Sequence, residues 1–309
     1  MQVLSIDVGY GHTKCMFKGE TFKFPTAISY AGIGATNFVA TDAYEFEGNR
    51  YFVGDSKAVR DGLPTSDFSF LKKYAPLLVY KAIEISAEKY GLDLTKEITV
   101  ATGLSVLNWY ERDGFKERLM AIEVNAKKVL CNIKLFAQGQ GVFYDYFGVK
   151  GEDDLNIVFD IGYLTNDFIV FEGNKPYQEK CFANDKGINK IIADLQNFVT
   201  AEYKITSIAE SKINEVLMTG KLRHFGEVVD LSKEIKHLKE GYIDEVVLSL
   251  QAKSKDLVRD ANKIILAGGG AYLFQDMQIF PNLVLSKPQY EFANVRGYAL
   301  KAVEIVKEL

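Results

Sequence analysis

The chain has 309 residues, of which 48% are hydrophobic and 25% charged, with a formal net charge of −4. This length exceeds one typical domain and predicts two α/β halves, with the composition of an ordinary soluble globular protein. The acidic balance lacks the basic footprint of direct nucleic-acid binding, so a DNA partner would be reached through an adaptor protein. Three isolated cysteines, Cys15, Cys131 and Cys181, predict neither a disulfide framework nor a cysteine metal site.

The first half of the chain alternates short strand patterns with longer helical patterns. Strands are predicted at residues 3–6, 14–17, 22–25, 51–53, 98–101 and 129–136, with a loop containing Gly and Thr at 30–37. Helices are predicted at residues 70–90, ending at Gly91, at 111–122 on the surface, and at 138–147.

The second half repeats this order. A strand ends at Asp160, a turn follows at residues 172–174, and helices are predicted at 188–199, 208–217 and 235–252. A buried strand at 264–267 then enters a run of three glycines, and a helix at 295–308 closes the chain. The repetition predicts an internal duplication of a β-rich α/β unit, with a cleft between the two halves.

Membrane insertion is not expected from the sequence. The chain begins directly in a strand pattern without a secretory signal, and no apolar run approaches the roughly 20 residues that span a bilayer. We therefore expect a cytoplasmic protein without a membrane partner.

A loop typical of phosphate binding occurs twice. Residues 4–14 read LSIDVGYGHTK and residues 157–167 read IVFDIGYLTND, so an apolar strand ends in Asp-x-Gly each time. Glycine permits turns in which backbone amides converge on a phosphate, and Asp7 and Asp160 supply carboxylates for a metal or its water. Two such loops facing each other would clamp the phosphate tail of a nucleotide.

Three further features fit the same chemistry. Lys14 follows the first loop and can reach a phosphate as a point charge. Gln138 precedes the second loop, and its neutral amide can orient an attacking water. The glycines at 268–270 follow a strand and let the backbone pass close to a flat ligand or a phosphate.

The order of these residues resembles the actin, sugar kinase and heat-shock chaperone ATPase superfamily, and within it the prokaryotic actin-like proteins of the plasmid-segregation (ParM and StbA) group. The similar segments are residues 7–14, 24–26, 51–54, 101–104, 136–139 and 293–298, so the resemblance covers nearly the whole chain. The chain departs from the family pattern at Ser105 and Ala137, where proline is usual. It also departs at Tyr163 and Leu164, where the second loop is usually rich in Gly or Arg.

The resemblance implies an α/β, actin-like (ribonuclease H-like) fold of duplicated domains with a nucleotide cleft between them. Residues 1–149 with 293–309 would form the first domain and residues 150–292 the second, with a hinge at 138–148 and 293–297. It also implies binding of ATP or GTP with Mg²⁺, slow hydrolysis, and a head-to-tail filament of the chain with itself. Plasmid or other DNA segregation, or a related cytoskeletal role, would be its function.

The resemblance also assigns the site residues by position. Asp7 would hold Mg²⁺ and its water shell, while Asp160 and Gln138 would polarise and place the attacking water, with Asp160 reaching the metal through water. The nucleotide would contact a larger set, namely Gly9, Tyr10, Gly11, Thr13, Lys14, Gly162, Tyr163, Thr165, Gly187, Lys212, Gly268, Gly269 and Gly270.

Two other functions remain open from the sequence. A small-molecule kinase of the same superfamily would use Asp7 and Asp160, but it needs a general base near the acceptor hydroxyl, for which Gln138 is a poor substitute. A regulatory protein with the same cleft would bind the nucleotide tightly without hydrolysis or assembly.

Overall fold

The computed structural model describes residues 2–32, 42–65, 67–275 and 277–308. The elements of the first half are β1 (Gln2–Val8), β2 (His12–Phe17), β3 (Glu20–Pro25), β4 (Ile28–Tyr30), β5 (Tyr44–Phe46), β6 (Asn49–Val53), α1 (Ser56–Arg60), α2 (Phe68–Tyr90), β7 (Ile98–Leu104), a 3₁₀ helix (Val106–Glu111), α3 (Arg112–Met120), β8 (Ala121–Val124), β9 (Lys127–Ala137) and α4 (Gln140–Phe147).

Among the described residues, the second half adds one separate strand pair, β14–β15, and four helices around a similar sheet. Its elements are β10 (Leu155–Ile161), β11 (Asn166–Glu172), β12 (Lys175–Pro176), β13 (Phe182–Asn184), α5 (Asn189–Glu202), α6 (Glu210–Thr219), β14 (Lys221–His224), β15 (Glu227–Asp230), α7 (Ser232–Asp260), β16 (Lys263–Ala267), β17 (Leu283–Leu285) and α8 (Ala293–Lys307), with 3₁₀ helices at Gln178–Lys180, Gly269–Phe274 and Tyr290–Phe292.

The two large sheets share one arrangement of strands. The first has the order β3-β2-β1-β7-β9-β8, and the second has β12-β11-β10-β16-β17, with β13 also paired to β11. In each, an antiparallel hairpin (β1–β2 or β10–β11) lies beside a parallel strand (β7 or β16). This shared order is the internal duplication that the sequence predicts, and it places the ends of β1 and β10 at equivalent positions.

Helices α4 and α8 lie between the two sheets. One buried cluster joins Phe136 of the first sheet, Ile169 of the second, Phe143 of α4 and Tyr298 of α8. The helices approach closely, because a Cβ atom added to Gly297 would lie 1.7 Å from the backbone oxygen of Gly141. The tightly packed pair of helices α4 and α8 therefore joins the two sheets.

The predicted elements are largely confirmed, including helix α2 and its end at Gly91, which has φ of 68°. The predicted strand at 98–101 runs on to Leu104. The predicted helix at 111–122 was wrong at its end, because Ala121–Val124 form edge strand β8. Ile122 and Val124 face the core there, and Asn125 and Ala126 take the left-handed conformation of a tight hairpin turn.

Three other expectations need correction or restriction. Gln138 does not lie on a helix, because Gly139 has φ of 90° and α4 begins at Gln140. The predicted loop at 30–37 begins at the last residue of β4, and residues 33–37 lie outside the described part of the chain. Residues 221–230, to which the sequence assigned no element, form the hairpin β14–β15.

Within the described ranges, no helix combines the length and apolar character needed to cross a bilayer.

Candidate functional site

Asp7 lies at the centre of the first predicted loop, near the end of β1. Lys14 is its partner across the hairpin, and the Lys14 Nζ lies 3.0 Å from Asp7 Oδ2. The Gln138 Nε2 donates to the other carboxylate oxygen, Oδ1, at 2.9 Å. The Asp7 side chain is only 4% exposed, so both of its oxygens are held by donors in a nearly dry environment.

Asp160 takes the equivalent place near the end of β10. The Asn294 amide of α8 donates to Asp160 Oδ2 at 2.6 Å, and the Asn294 oxygen accepts from the Gly139 N–H at 3.0 Å. Burial raises the pKa of Asp160 to about 7, and the charges of Asp7 and Asp167 add to this rise. Asn294 therefore joins the second carboxylate to the turn that carries Gln138.

Lys14 lies within reach of both aspartates. Burial lowers the pKa of Lys14, but the negative charges of Asp7 and Asp160 outweigh it, so the pKa is raised overall. Lys14 thus stays protonated and supplies a fixed positive charge that lies beside Asp7 and also interacts electrostatically with Asp160.

Asp167 is a site residue that the sequence reasoning missed. It stands opposite Asp160 in the β10–β11 hairpin, as Lys14 stands opposite Asp7 in the β1–β2 hairpin. Its Oδ1 accepts from the Ser105 hydroxyl at 2.7 Å and the Val106 N–H at 2.9 Å, across the two sheets. Burial raises the pKa of Asp167 to about 6. The equal seven-residue spacing in both loops is the signal that could have found it.

Asn294 was also missed as a site residue. It belongs to the last segment that carries the family resemblance, but no spacing in the sequence connects it with Asp160. Its side chain is buried, and the contact spans the 134 positions that separate the two residues. Only the packing of α8 between the sheets brings them together.

The glycine turn after β16 packs directly against Asp160. Gly268 has φ of 83°, and a Cβ atom there would lie 2.3 Å from Asp160 Oδ1. A Cβ atom on Gly270 would lie 2.1 Å from Ile161 Cγ2, whereas the position at Gly269 is open. A side chain at 268 or 270 would therefore displace the strand that carries Asp160.

The two predicted phosphate loops are in contact with each other. A Cβ atom on Gly11 would lie 3.1 Å from Cγ of Tyr163, so the Tyr163 side chain rests on the first loop. The second loop is closed by a hydrogen bond from the Gly162 N–H to the Thr165 oxygen at 2.8 Å. A Cβ atom on Gly187 would lie 2.2 Å from the Tyr163 backbone oxygen, so the backbone at Gly187 packs directly against the second loop.

The remaining predicted residues lie in varied surroundings. Gly9 lies beside Lys14, because a Cβ atom on Gly9 would lie 3.1 Å from the Lys14 ammonium nitrogen. Tyr10 is half-buried, and its burial raises the pKa of its hydroxyl to about 12. Thr13 is fully buried with its hydroxyl 2.9 Å from that of Thr26, so it faces the interior of the first half. Lys212 lies on α6, where its ammonium is held at 2.8 Å by both oxygens of Glu215.

In the described ranges, no group of three or more His, Cys, Asp or Glu side chains is arranged to hold a metal ion. Asp7 and Asp160 are nevertheless buried carboxylates that sense each other's charge. Their oxygens are the type of donor that a hard divalent cation prefers.

Comparison with known proteins finds related domains in both halves of the chain. Residues 5–141 match the N-terminal domain of actin-like proteins, and residues 158–278 match the C-terminal domain of the archaeal MreB-like actin homologues. No protein with a curated description has a significantly similar sequence.

Solved structures resemble the chain over its whole length. An archaeal actin homologue in complex with ADP superposes with a TM-score of 0.79 at 21% identity, covering 99% of this chain and 100% of that one. A 15-stranded ParM filament from Clostridium botulinum gives 0.79 at 20% identity, covering 100% and 99%. A ParM from Bacillus thuringiensis with AMPPNP gives 0.68 at 16% identity, covering 100% and 99%. The two halves of the chain therefore resemble the domains of actin-like proteins, and the chain has the actin-like fold.

Proposed function

We propose that this chain is a Mg²⁺-dependent ATPase that binds nucleotide between its two loops and assembles into filaments. The observation that carries the proposal is the cluster of Asp7, Lys14, Gln138 and Asp160, in which the two buried aspartates lie near the ends of equivalent strands in two duplicated sheets. Similar proteins are described as a ParM filament and as complexes with ADP or AMPPNP, which supports both parts of the proposal.

The charges of the cluster suit phosphate chemistry. Lys14 would offset charge on the β- or γ-phosphate, and the turns at 9–11 and 162–165 would present backbone amides. Asp160, with a pKa of about 7, would accept a hydrogen bond from the attacking water and could take up its proton at neutral pH. The Gln138 amide would help to orient that water once it leaves Asp7.

The residues present fit a magnesium ion. Asp7 would hold it on one side of the cleft and Asp160 through a water on the other, since Mg²⁺ usually keeps several waters and binds few carboxylates. When bound, Mg²⁺ would offset the charge that develops on the phosphate oxygens.

Filament formation would follow from two different faces of the chain meeting head to tail. Such contacts are heterologous and do not close, so they propagate into open polymers. Nucleotide would favour the closed cleft and its contacts, and hydrolysis would weaken them. We further propose that the filament moves a plasmid or other DNA through an adaptor, since a net charge of −4 does not favour direct binding.

The test is right-angle light scattering with parallel measurement of phosphate release, after ATP and Mg²⁺ are added to the purified protein. We expect scattering to rise with protein concentration above a threshold. Asp160→Ala should abolish phosphate release and Gln138→Ala should make the polymer persist. The exposed carboxylate variant Asp244→Ala is the matched control and should behave as the wild type. A parallel series with GTP measures the nucleotide preference.

Phosphate release without scattering would contradict the filament and favour a monomeric ATPase or a kinase. Transfer to a small-molecule acceptor at rates far above hydrolysis would then establish the kinase. Tight nucleotide binding with neither signal would favour a regulatory protein.

A further inference from the structure

The second loop of this chain carries a bulky aromatic residue, Tyr163, directly after Gly162. Its backbone is firmly anchored, because Gly162 and Tyr163 oxygens accept the N–H groups of Ile188 and Asn189 at 3.1 and 2.9 Å. The Leu164 oxygen likewise accepts the Gly187 N–H at 2.9 Å. The backbone of the loop is therefore fixed on the start of α5, and rotation of the side chain is the movement left to Tyr163.

The Tyr163 side chain crosses from one loop to the other. Its Cβ, Cγ and Cδ2 atoms would lie 3.1 to 3.2 Å from a Cβ atom placed on Gly11. The space between the tips of the two loops is where a clamped phosphate tail would have to pass. The Tyr163 side chain takes up space that a phosphate tail clamped between the loops would need.

A second contact holds the ring in this position. The Tyr163 hydroxyl donates to the Glu210 carboxylate at the start of α6. Burial and this carboxylate together raise the pKa of the tyrosine, so the hydroxyl keeps its proton and the bond persists at physiological pH. Glu210 is negatively charged and would not attract a phosphate, so it serves as a partner for the closed ring.

We propose that Tyr163 is a gate on the phosphate cleft: its ring lies between the loops in the closed arrangement, and a nucleoside triphosphate enters only after the ring has left Gly11 and Glu210. This inference rests on the proposed nucleotide site. The gate competes with the ligand, and the apparent dissociation constant equals the intrinsic one divided by the open fraction. A gate that is closed in about nine tenths of molecules weakens binding about tenfold.

The experiment measures binding of a fluorescent N-methylanthraniloyl ATP with Mg²⁺ by titration and by stopped flow. Tyr163→Ala removes the ring, and we expect about tenfold tighter binding with faster association. Tyr163→Phe keeps the aromatic ring, and Glu210→Gln keeps the shape of the side chain that accepts its hydrogen bond. Each change weakens only the contact between residues 163 and 210. Both should shift the affinity in the same direction by less, and the double variant should add little, because both changes act on one contact.

The matched control is Tyr44→Phe, which removes a tyrosine–carboxylate hydrogen bond to Glu84 in the first half of the chain, away from both loops. Its nucleotide affinity should equal that of the wild type. Weaker binding by Tyr163→Ala would overturn the gate, because the ring would then contribute contacts to the nucleotide. Equal affinity in all variants would also overturn it.

The two proposals fail differently. Binding by the wild type with no effect at Tyr163 overturns the gate alone. Absence of binding in the wild type and in Tyr163→Ala overturns the nucleotide site, and the gate with it. Binding by Tyr163→Ala alone would support both.

Discussion

The residue paired with the aspartate differs between the two hairpins, and this difference sets the charge of the site. Asp7 faces Lys14 in the first hairpin, whereas Asp160 faces a second carboxylate, Asp167, in the other. The first pair is a compensated ion pair. The second places two buried acids together, and both have raised pKa values. The free protein therefore stores unfavourable electrostatic energy at Asp160, which a bound cation would relieve.

The first prediction concerns the dependence of stability on pH. The pKa of Asp160 is about 7 in the folded chain against 3.8 as the ordinary value, so its favourable contribution is complete below about pH 4 and is lost as the pH rises through about 7. Asp160→Asn should therefore be more stable than the wild type above pH 7, by on the order of 2–4 kcal/mol, since each pH unit of difference corresponds to about 1.4 kcal/mol. The advantage should vanish near pH 4.

Urea unfolding at several pH values, without nucleotide or Mg²⁺, measures this difference. The asparagine keeps the shape of the side chain and can still accept from Asn294, so packing is preserved. Asp153→Asn, at an exposed loop position, is the control and should show a flat difference from the wild type. A variant that is less stable than the wild type at pH 8 would contradict the assignment.

At the scale of elements, the crossing of α4 and α8 determines how close the two sheets lie. Gly141 and Gly297 meet backbone to backbone, and the Arg296 side chain holds the buried Asp145 carboxylate through two nitrogens at 2.7 and 3.0 Å. Arg296 also donates to the backbone oxygens of residues 287–289. The segment in which the sequence predicts a hinge is thus a dense junction with little free volume.

The second prediction compares two helical glycines. Gly297→Ala places a methyl group 1.7 Å from the Gly141 oxygen, and backbone cannot move aside cheaply, so we expect a loss of roughly 3 kcal/mol or more. Gly241→Ala in α7 meets no atom within 4 Å and should instead gain about 0.5–1 kcal/mol from helix propensity. Thermal and urea unfolding of both variants measure these changes. Equal behaviour of the two would show that α4 and α8 are not in this close contact.

The sequence predicts most of these elements and part of the site. Apolar strands that end in Asp-x-Gly place Asp7 and Asp160 because local pattern and turn chemistry are sufficient there. Edge strand β8 was missed because it has only four residues, of which the first two fall within the predicted helix at 111–122, and pairing with β9 makes them extended. Asn294 and Ser105 were missed as site residues because their partners are distant in the sequence and depend on how the two sheets meet.

At the scale of the whole molecule, Asp167 links the two halves. Its carboxylate belongs to the second sheet, yet it accepts from Ser105 and Val106, where β7 of the first sheet enters its 3₁₀ helix. Tyr163 also joins the two halves, because its side chain contacts Gly11 of the first loop. Moving the two halves apart must break the hydrogen bonds from Ser105 and Val106 to Asp167. These bonds therefore favour a closed cleft.

The last prediction tests this link. Ser105→Ala removes a hydrogen bond to a buried carboxylate, which should cost about 1.5–3 kcal/mol of stability and speed amide hydrogen exchange in residues 105–111. Because the bond is strongest to the ionised acid, and the pKa of Asp167 is about 6, the deficit should be largest above pH 6 and shrink as the pH falls below it. Ser286→Ala is the control, since the Ser286 hydroxyl is buried and has no hydrogen-bond partner among the described residues, so its loss should cost little at any pH. If Ser105→Ala is as stable as Ser286→Ala at pH 8, with unchanged exchange, Asp167 does not hold the halves together.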